Sequence, residues 1–174
     1  MTENNDSLKD KLIHAYDEMM EHLHELMKDA GKGTDNLQQL LNTARDKVAD
    51  TGKLTRAEAQ KVSDYLSRDL YNAGEYLQDS SNDLADWLHM DLELLEWNVK
   101  DLFLQAADRT KLDLLLLEEN AKHVNEYHTG EVTGPGILVC DNCNEELNFK
   151  STGRVPPCPS CHETHFKRKS RPSR

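Results

Sequence analysis

All four cysteines of this chain fall within its last 35 residues, as Cys140-x2-Cys143-x14-Cys158-x2-Cys161. Each Cys-x-x-Cys pair sets two thiolates on one tight turn. Two such turns facing each other supply the tetrahedron that a structural zinc ion takes. A segment this short buries too little apolar surface to fold alone, so metal must supply much of its folding energy. The spacing therefore predicts a β zinc ribbon holding one Zn2+ per chain through Cys140, Cys143, Cys158 and Cys161. Four thiolates also suit iron, and the sequence leaves that choice open, although zinc is the usual ion of short structural modules. A complete four-cysteine set leaves no open coordination position for catalysis. His162 and His165 stand near enough to be rival ligands, against the plainer reading of both as ribbon surface. A thioredoxin-like redox pair would need one Cys-x-x-Cys inside an alternating α/β pattern, which is missing here.

The rest of the chain is nearly free of helix breakers: all 5 prolines lie beyond residue 130. Residues 1–129 therefore read as an acidic helical domain. Leu8, Leu12, Tyr16, Met19, Leu23, Leu26 and Ala30 recur at helical spacing, and Gly31-Lys-Gly33 ends that run. Leu37, Leu40, Leu41, Ala44 and Val48 predict a second helix starting near Thr34 or Asp35. Thr55-Arg-Ala-Glu58 is a capping box, opening a third helix on Ala59, Val62, Leu66, Leu70, Ala73 and Leu77. After a break at Ser80-Ser-Asn-Asp83, a heptad-like, coiled-coil stripe of Leu88, Leu92, Leu95, Val99, Leu102 and Ala106 predicts a long last helix. Unbroken from Leu84 to Tyr127, it would span roughly 65 Å. Its apolar residues occupy several faces, so it sits centrally in a bundle or in a homo-oligomer seam over 84–127. Trp87, Trp97 and Phe103 read as packing residues, some of which could line that second interface. The fold class is mainly α: an antiparallel helical bundle or long helical hairpin followed by the small ribbon. Residues 130–136 read as a Gly/Pro hinge, 137–167 as the ribbon and 168–174 as a flexible basic tail.

Charge separates these regions. Residues 1–129 carry 27 acids and 14 bases, and residues 130–174 carry 5 acids and 7 bases. So acidic a body is repelled by nucleic acid and anionic membrane. Any phosphate contact is confined to Lys167, Arg168, Lys169, Arg171 and Arg174, with Phe149 and Phe166 the only nearby stacking platforms. No stretch is apolar enough to span a membrane and no signal-peptide core opens the chain, so a cytoplasmic protein with reduced cysteines is expected. Glu21-x-x-His24 and Asp86-x-x-His89 imitate the ligand spacing of bundle metalloenzymes, but both point away from their apolar stripes and read as solvated faces. No phosphate loop or nucleophile elbow appears. The chain reads as a non-enzymatic binding or adaptor protein engaging a protein partner. Nucleic-acid association through ribbon and tail is the alternative, and a bundle metalloenzyme a more distant one.

The stretch His128-Thr-Gly-Glu-Val-Thr-Gly-Pro-Gly136, with Cys140-Asp-Asn-Cys143, Cys158-Pro-Ser-Cys161 and the acidic helices ahead of them, resembles the YbeL-like zinc-ribbon-containing family of proteobacterial proteins. The resemblance covers essentially the whole chain. It implies a cytoplasmic bacterial protein with a four-cysteine ribbon at 140, 143, 158 and 161, and it implies no reaction.

Overall fold

The computed structural model describes residues 3–30, 36–77, 96–107, 113 and 125–169. Among the described residues it shows helices α1 (Glu3–Ala30), α2 (Leu37–Asp50), α3 (Arg56–Leu77) and α4 (Trp97–Ala107), a helical Asp113, and then a small β region. Among the described residues, no helix is long and apolar enough to cross a membrane.

Local chemistry fixes the helix starts. The Asn36 side chain accepts from Gln39 N at 2.8 Å, capping α2. At α3, Glu58 N donates to Thr55 Oγ1 at 3.2 Å and Thr55 N donates to Glu58 Oε2 at 2.7 Å, which is the reciprocal capping box its sequence announces. The five apolar positions read for α2 are the five it buries. They meet Met19, Met20, Leu23 and Met27 of α1 and Leu66 and Leu70 of α3 in one core, which Leu102 and Phe103 of α4 complete.

The long last helix expected from Leu84 to Tyr127 is not one continuous element. Glu96 lies outside the helix and accepts from Val99 N and Lys100 N, so α4 begins afresh at Trp97. Tyr127, its expected far end, is a strand residue. Positions 78–95, including Ser80–Asp83, Trp87 and the Asp86/His89 pair, lie outside the described residues, as do most of 108–124.

The β region contains β1 (Tyr127–His128), β2 (Val132–Thr133), β3 (Gly136–Cys140), β4 (Glu146–Phe149), β5 (Gly153–Arg154) and β6 (His165–Arg168). One antiparallel sheet runs β1-β6-β3-β4, and β2 pairs with β5 separately. Tyr127, Leu138, Cys140, Val155, Cys158 and Phe166 form its own small core.

Two expectations for this region need correction. Residues 130–136 are not a free hinge: positions 132–136 are buried, and Val132 packs into the helical core. Arg168 does not begin a flexible tail. It closes β6, whose strand alternation turns Phe166 and Arg168 inward while His165 and Lys167 face solvent.

Inward, Arg168 meets Asp69 of α3, which is fully buried. Asp69 Oδ1 accepts from Tyr127 Oη at 2.8 Å and Arg168 Nη2 at 3.2 Å; Oδ2 accepts from Tyr16 Oη at 2.6 Å and Gly134 N at 2.9 Å. Arg168 also donates to the Pro135 carbonyl and Thr133 Oγ1. Arg68 lies over the Tyr127 ring and donates to Glu131 Oε2 at 2.6 Å and the Val132 carbonyl at 3.1 Å. Burial alone would raise the Asp69 carboxyl. The two guanidiniums, the Gly134 N–H and the Tyr16 hydroxyl outweigh it and hold the group below the ordinary carboxylate range. Gly136 is required here twice over: its φ is +135°, and a Cβ would fall inside the Arg168 guanidinium. A second contact ties Thr152, beside β5, to Asp17 of α1 through a 2.6 Å hydrogen bond.

Candidate metal centre

The two knuckles are built on one plan. In the first, Cys140 N donates to Glu145 O and Asn144 N donates back to Cys140 O; in the second, Cys158 N donates to Glu163 O and His162 N to Cys158 O. Asn144 and His162 hold the equivalent fourth position after each leading cysteine, with φ of 60° and 63°. That left-handed conformation is uncommon for residues other than glycine, and Asn and His are among the side chains that adopt it most readily. The repeated offset could have been read from the sequence, and it gives His162 a backbone role.

The four sulfurs converge, with all ligand atoms within 4.8 Å of one another. Cys140 Sγ lies 3.6 Å from Cys161 Sγ, and Cys143 Sγ 3.5 Å from Cys158 Sγ. A tetrahedron of metal–sulfur bonds near 2.3 Å needs sulfurs about 3.8 Å apart, whereas a disulfide needs about 2.05 Å. The spacing fits an ion. Protonation fits it too. The Asn142 side chain, the Glu163 N–H and the neighbouring thiols lower Cys161 to about 6. At Cys143 the Glu145 N–H favours the thiolate, but the other three cysteines outweigh it and push the thiol up to about 12. Four thiolates this close cannot all ionise without a cation between them, and a divalent ion removes that conflict. Cys140 and Cys158 are buried, Cys161 is half-buried and Cys143 is exposed, so the centre sits at the ribbon surface. An ion held by all four would crosslink the two knuckles and keep no position for substrate.

The rival ligands stand apart from this cluster. His165 turns to the solvent face of β6 against His128, with ring centroids 4.7 Å apart. Among the described residues, no other group of three or more metal-binding side chains gathers. Glu21 and His24 part company: Glu21 is exposed, whereas His24 is buried. His24 is therefore not on a solvated face. It bonds Asp101 of α4 through Nε2, with the Trp97 ring edge-on at 5.7 Å. Sequence periodicity missed this pair because its partner lies on another helix.

The basic cluster is divided as well. Arg168 is consumed by the Asp69 junction, while Lys167 stands 3.9 Å from Asp141 and Lys169 2.6 Å from Glu146. Arg171 and Arg174 lie outside the described residues.

Residues 24–170 match the family model described as a zinc-ribbon containing domain. The chain is 27% identical over 159 residues to the uncharacterized protein YbeL of Escherichia coli K12, a match covering 91% of this chain and 96% of that one. The YbeL proteins of strains O6:H1 and O157:H7 match equally. No solved structure matches. With the converging cysteine cluster inside the matched region, the chain belongs to the zinc-ribbon containing domain family.

Proposed function

We propose that this chain is a non-enzymatic, cytoplasmic adaptor, in which a ribbon closed by one Zn2+ and the acidic helical body together bind a basic segment of a protein partner. The observation that carries this reading is a cleft of about 1180 Å3 where the body meets the ribbon. Asp10, Asp17, Glu18, Glu21 and Glu96 line it against Lys11, Lys53 and Lys150, a net acidic wall in which Lys53 lies 3.3 Å from Glu18. Burial raises the Asp17 carboxyl, and the hydrogen bond from the Thr152 hydroxyl pulls the other way. The zinc would hold the wall of the cleft in place through the ribbon fold and take no chemical part. Nucleic acid, the alternative partner, loses support because Arg168 is occupied and Lys167 and Lys169 face carboxylates.

Capture from native cytosol with and without nuclease, followed by identification of what remains bound, tests the assignment. Adaptor binding survives nuclease and falls when Asp10 and Glu21 are reversed to Lys. Partners that vanish with nuclease, together with steep salt dependence relieved by deleting residues 170–174, would replace it with the nucleic-acid reading. Self-association belongs to the same proposal: Trp97 and Leu104, seven residues apart on α4, are 61% and 41% exposed. Sedimentation at micromolar concentration should show a dimer or larger species, and a monomer throughout would remove that part.

A further inference from the structure

On the outer face of the ribbon, β1 and β6 pair with Tyr127 opposite Phe166 and His128 opposite His165. Thr129 N donates to Thr164 O, which makes the 128/165 pair the non-hydrogen-bonded kind, where facing side chains stand closest. Tyr127 and Phe166 fill the core, so by strand alternation both imidazoles meet on the solvent face, where their rings sit edge to face.

Each ring is turned by a carboxylate on its Nδ1 side. His128 Nδ1 lies 3.3 Å from Glu131 Oε1, and Glu131 is itself anchored by its 2.6 Å bond from Arg68. His165 Nδ1 lies 3.1 Å from Glu163 Oε1. A carboxylate accepting from Nδ1–H fixes the tautomer that leaves the Nε2 lone pair outward, which is how metal-binding imidazoles are oriented. The rings open on a shallow cavity of about 560 Å3 that Asp141 and Asn142 also line. We propose that His128 and His165, oriented by Glu131 and Glu163, form a second metal site on the ribbon, separate from the four-cysteine centre, for a late first-row divalent ion such as Ni2+, Cu2+ or Zn2+. Two imidazole nitrogens completed by water make a ligand set these ions accept, whereas Ca2+ and Mg2+ prefer oxygen alone.

Titration of the zinc-loaded full chain with Ni2+ tests this, because Ni2+ prefers imidazole and reports its position by paramagnetic broadening. One further equivalent should bind with zinc still retained, and amide signals of residues 126–129, 141–142 and 163–166 should broaden. His165→Ala and His128→Gln should each weaken binding at least tenfold, Glu163→Gln should weaken it by less, and His22→Ala should leave it unchanged. His165 is 58% exposed at its side chain, so its loss spares the fold, and matching amide spectra without nickel check that directly. Absence of saturable binding, release of zinc in step with nickel uptake, or affinity indifferent to both histidine variants overturns the proposal.

Discussion

Leu70 and Asp69 are neighbours on α3, and both are fully buried. Leu70 belongs to the helical core with Met19, Leu23, Leu41 and Leu66. Asp69 looks toward the ribbon, where it is met by two arginines, two tyrosine hydroxyls and a backbone N–H. The two interiors fail differently. An apolar core loses stability in proportion to the volume removed. A buried charge network holds only while its members are all present, since losing one strands another in a low-dielectric site. The body is therefore a graded structure and the junction an all-or-none one. Because Arg168 lies on β6, paired with the strand that carries Cys140, the junction exists only while the ribbon is folded.

Metal removal gives the largest expected effect. Chelation, or Cys158→Ser, should unfold residues 127–168 outright, since structural zinc contributes on the order of 10 kcal/mol to such modules. The body should not be left untouched, although two separate cores would suggest it. Asp69 would lose Arg168, Tyr127 and Gly134 together, so amide exchange should accelerate in α3 around residues 66–73 and in α1 around Tyr16. Unchanged protection there would show that the junction transmits nothing.

Arg168→Met keeps the volume and removes the charge. It should cost about 3–5 kcal/mol, the usual result of breaking one partner from a buried pair. Two further readings separate this loss from simple damage. Zinc affinity should fall, because coupling between two sites is reciprocal. Acid sensitivity should also change: Asp69 is depressed in the fold, so its contribution is complete above the unfolded carboxylate value of about 3.9 and is lost as pH falls through the lower folded value. Without Arg168 that folded value rises, and the acid-unfolding midpoint should move to higher pH. Leu41→Ala is the matching probe in the apolar core. It should cost roughly 3 kcal/mol yet leave zinc affinity and the proton linkage unchanged. If both variants behave alike, the distinction between the two interiors is wrong.

The same contrast explains what could be read from the sequence. Leu37, Leu40, Leu41, Ala44 and Val48 recur at helical spacing because one face is buried, and periodicity records burial directly. The cysteines were equally legible, since their spacing is the turn geometry itself. Asp69, Arg68 and Arg168 were hidden because a charge in a pattern signals solvent, and only its tertiary partner reverses that. Arg168 was doubly concealed within a run of bases that composition assigns to a tail. The alternation of Phe166 with Arg168 against Lys167 with Lys169 was the available clue. His24 was misread for the same reason, its partner Asp101 lying 77 residues away.

The smallest expected effect is at the start of α3, and it probes whether the junction depends on how firmly that helix is held. Thr55 and Glu58 satisfy each other's free N–H groups in an exposed position. Thr55→Ala removes one of the two bonds and should cost about 1 kcal/mol, as capping losses do. Asp69 lies more than three helical turns further along α3, with Ala59, Val62 and Leu66 packed between the two. Fraying of the first turn should therefore stop before reaching it. Thermal unfolding should shift by a few degrees, with amide exchange faster only at about residues 56–60 and zinc affinity unchanged. A loss of zinc affinity in this variant would mean that α3 transmits strain along its length. The junction would then belong to the same graded structure as the core beside it.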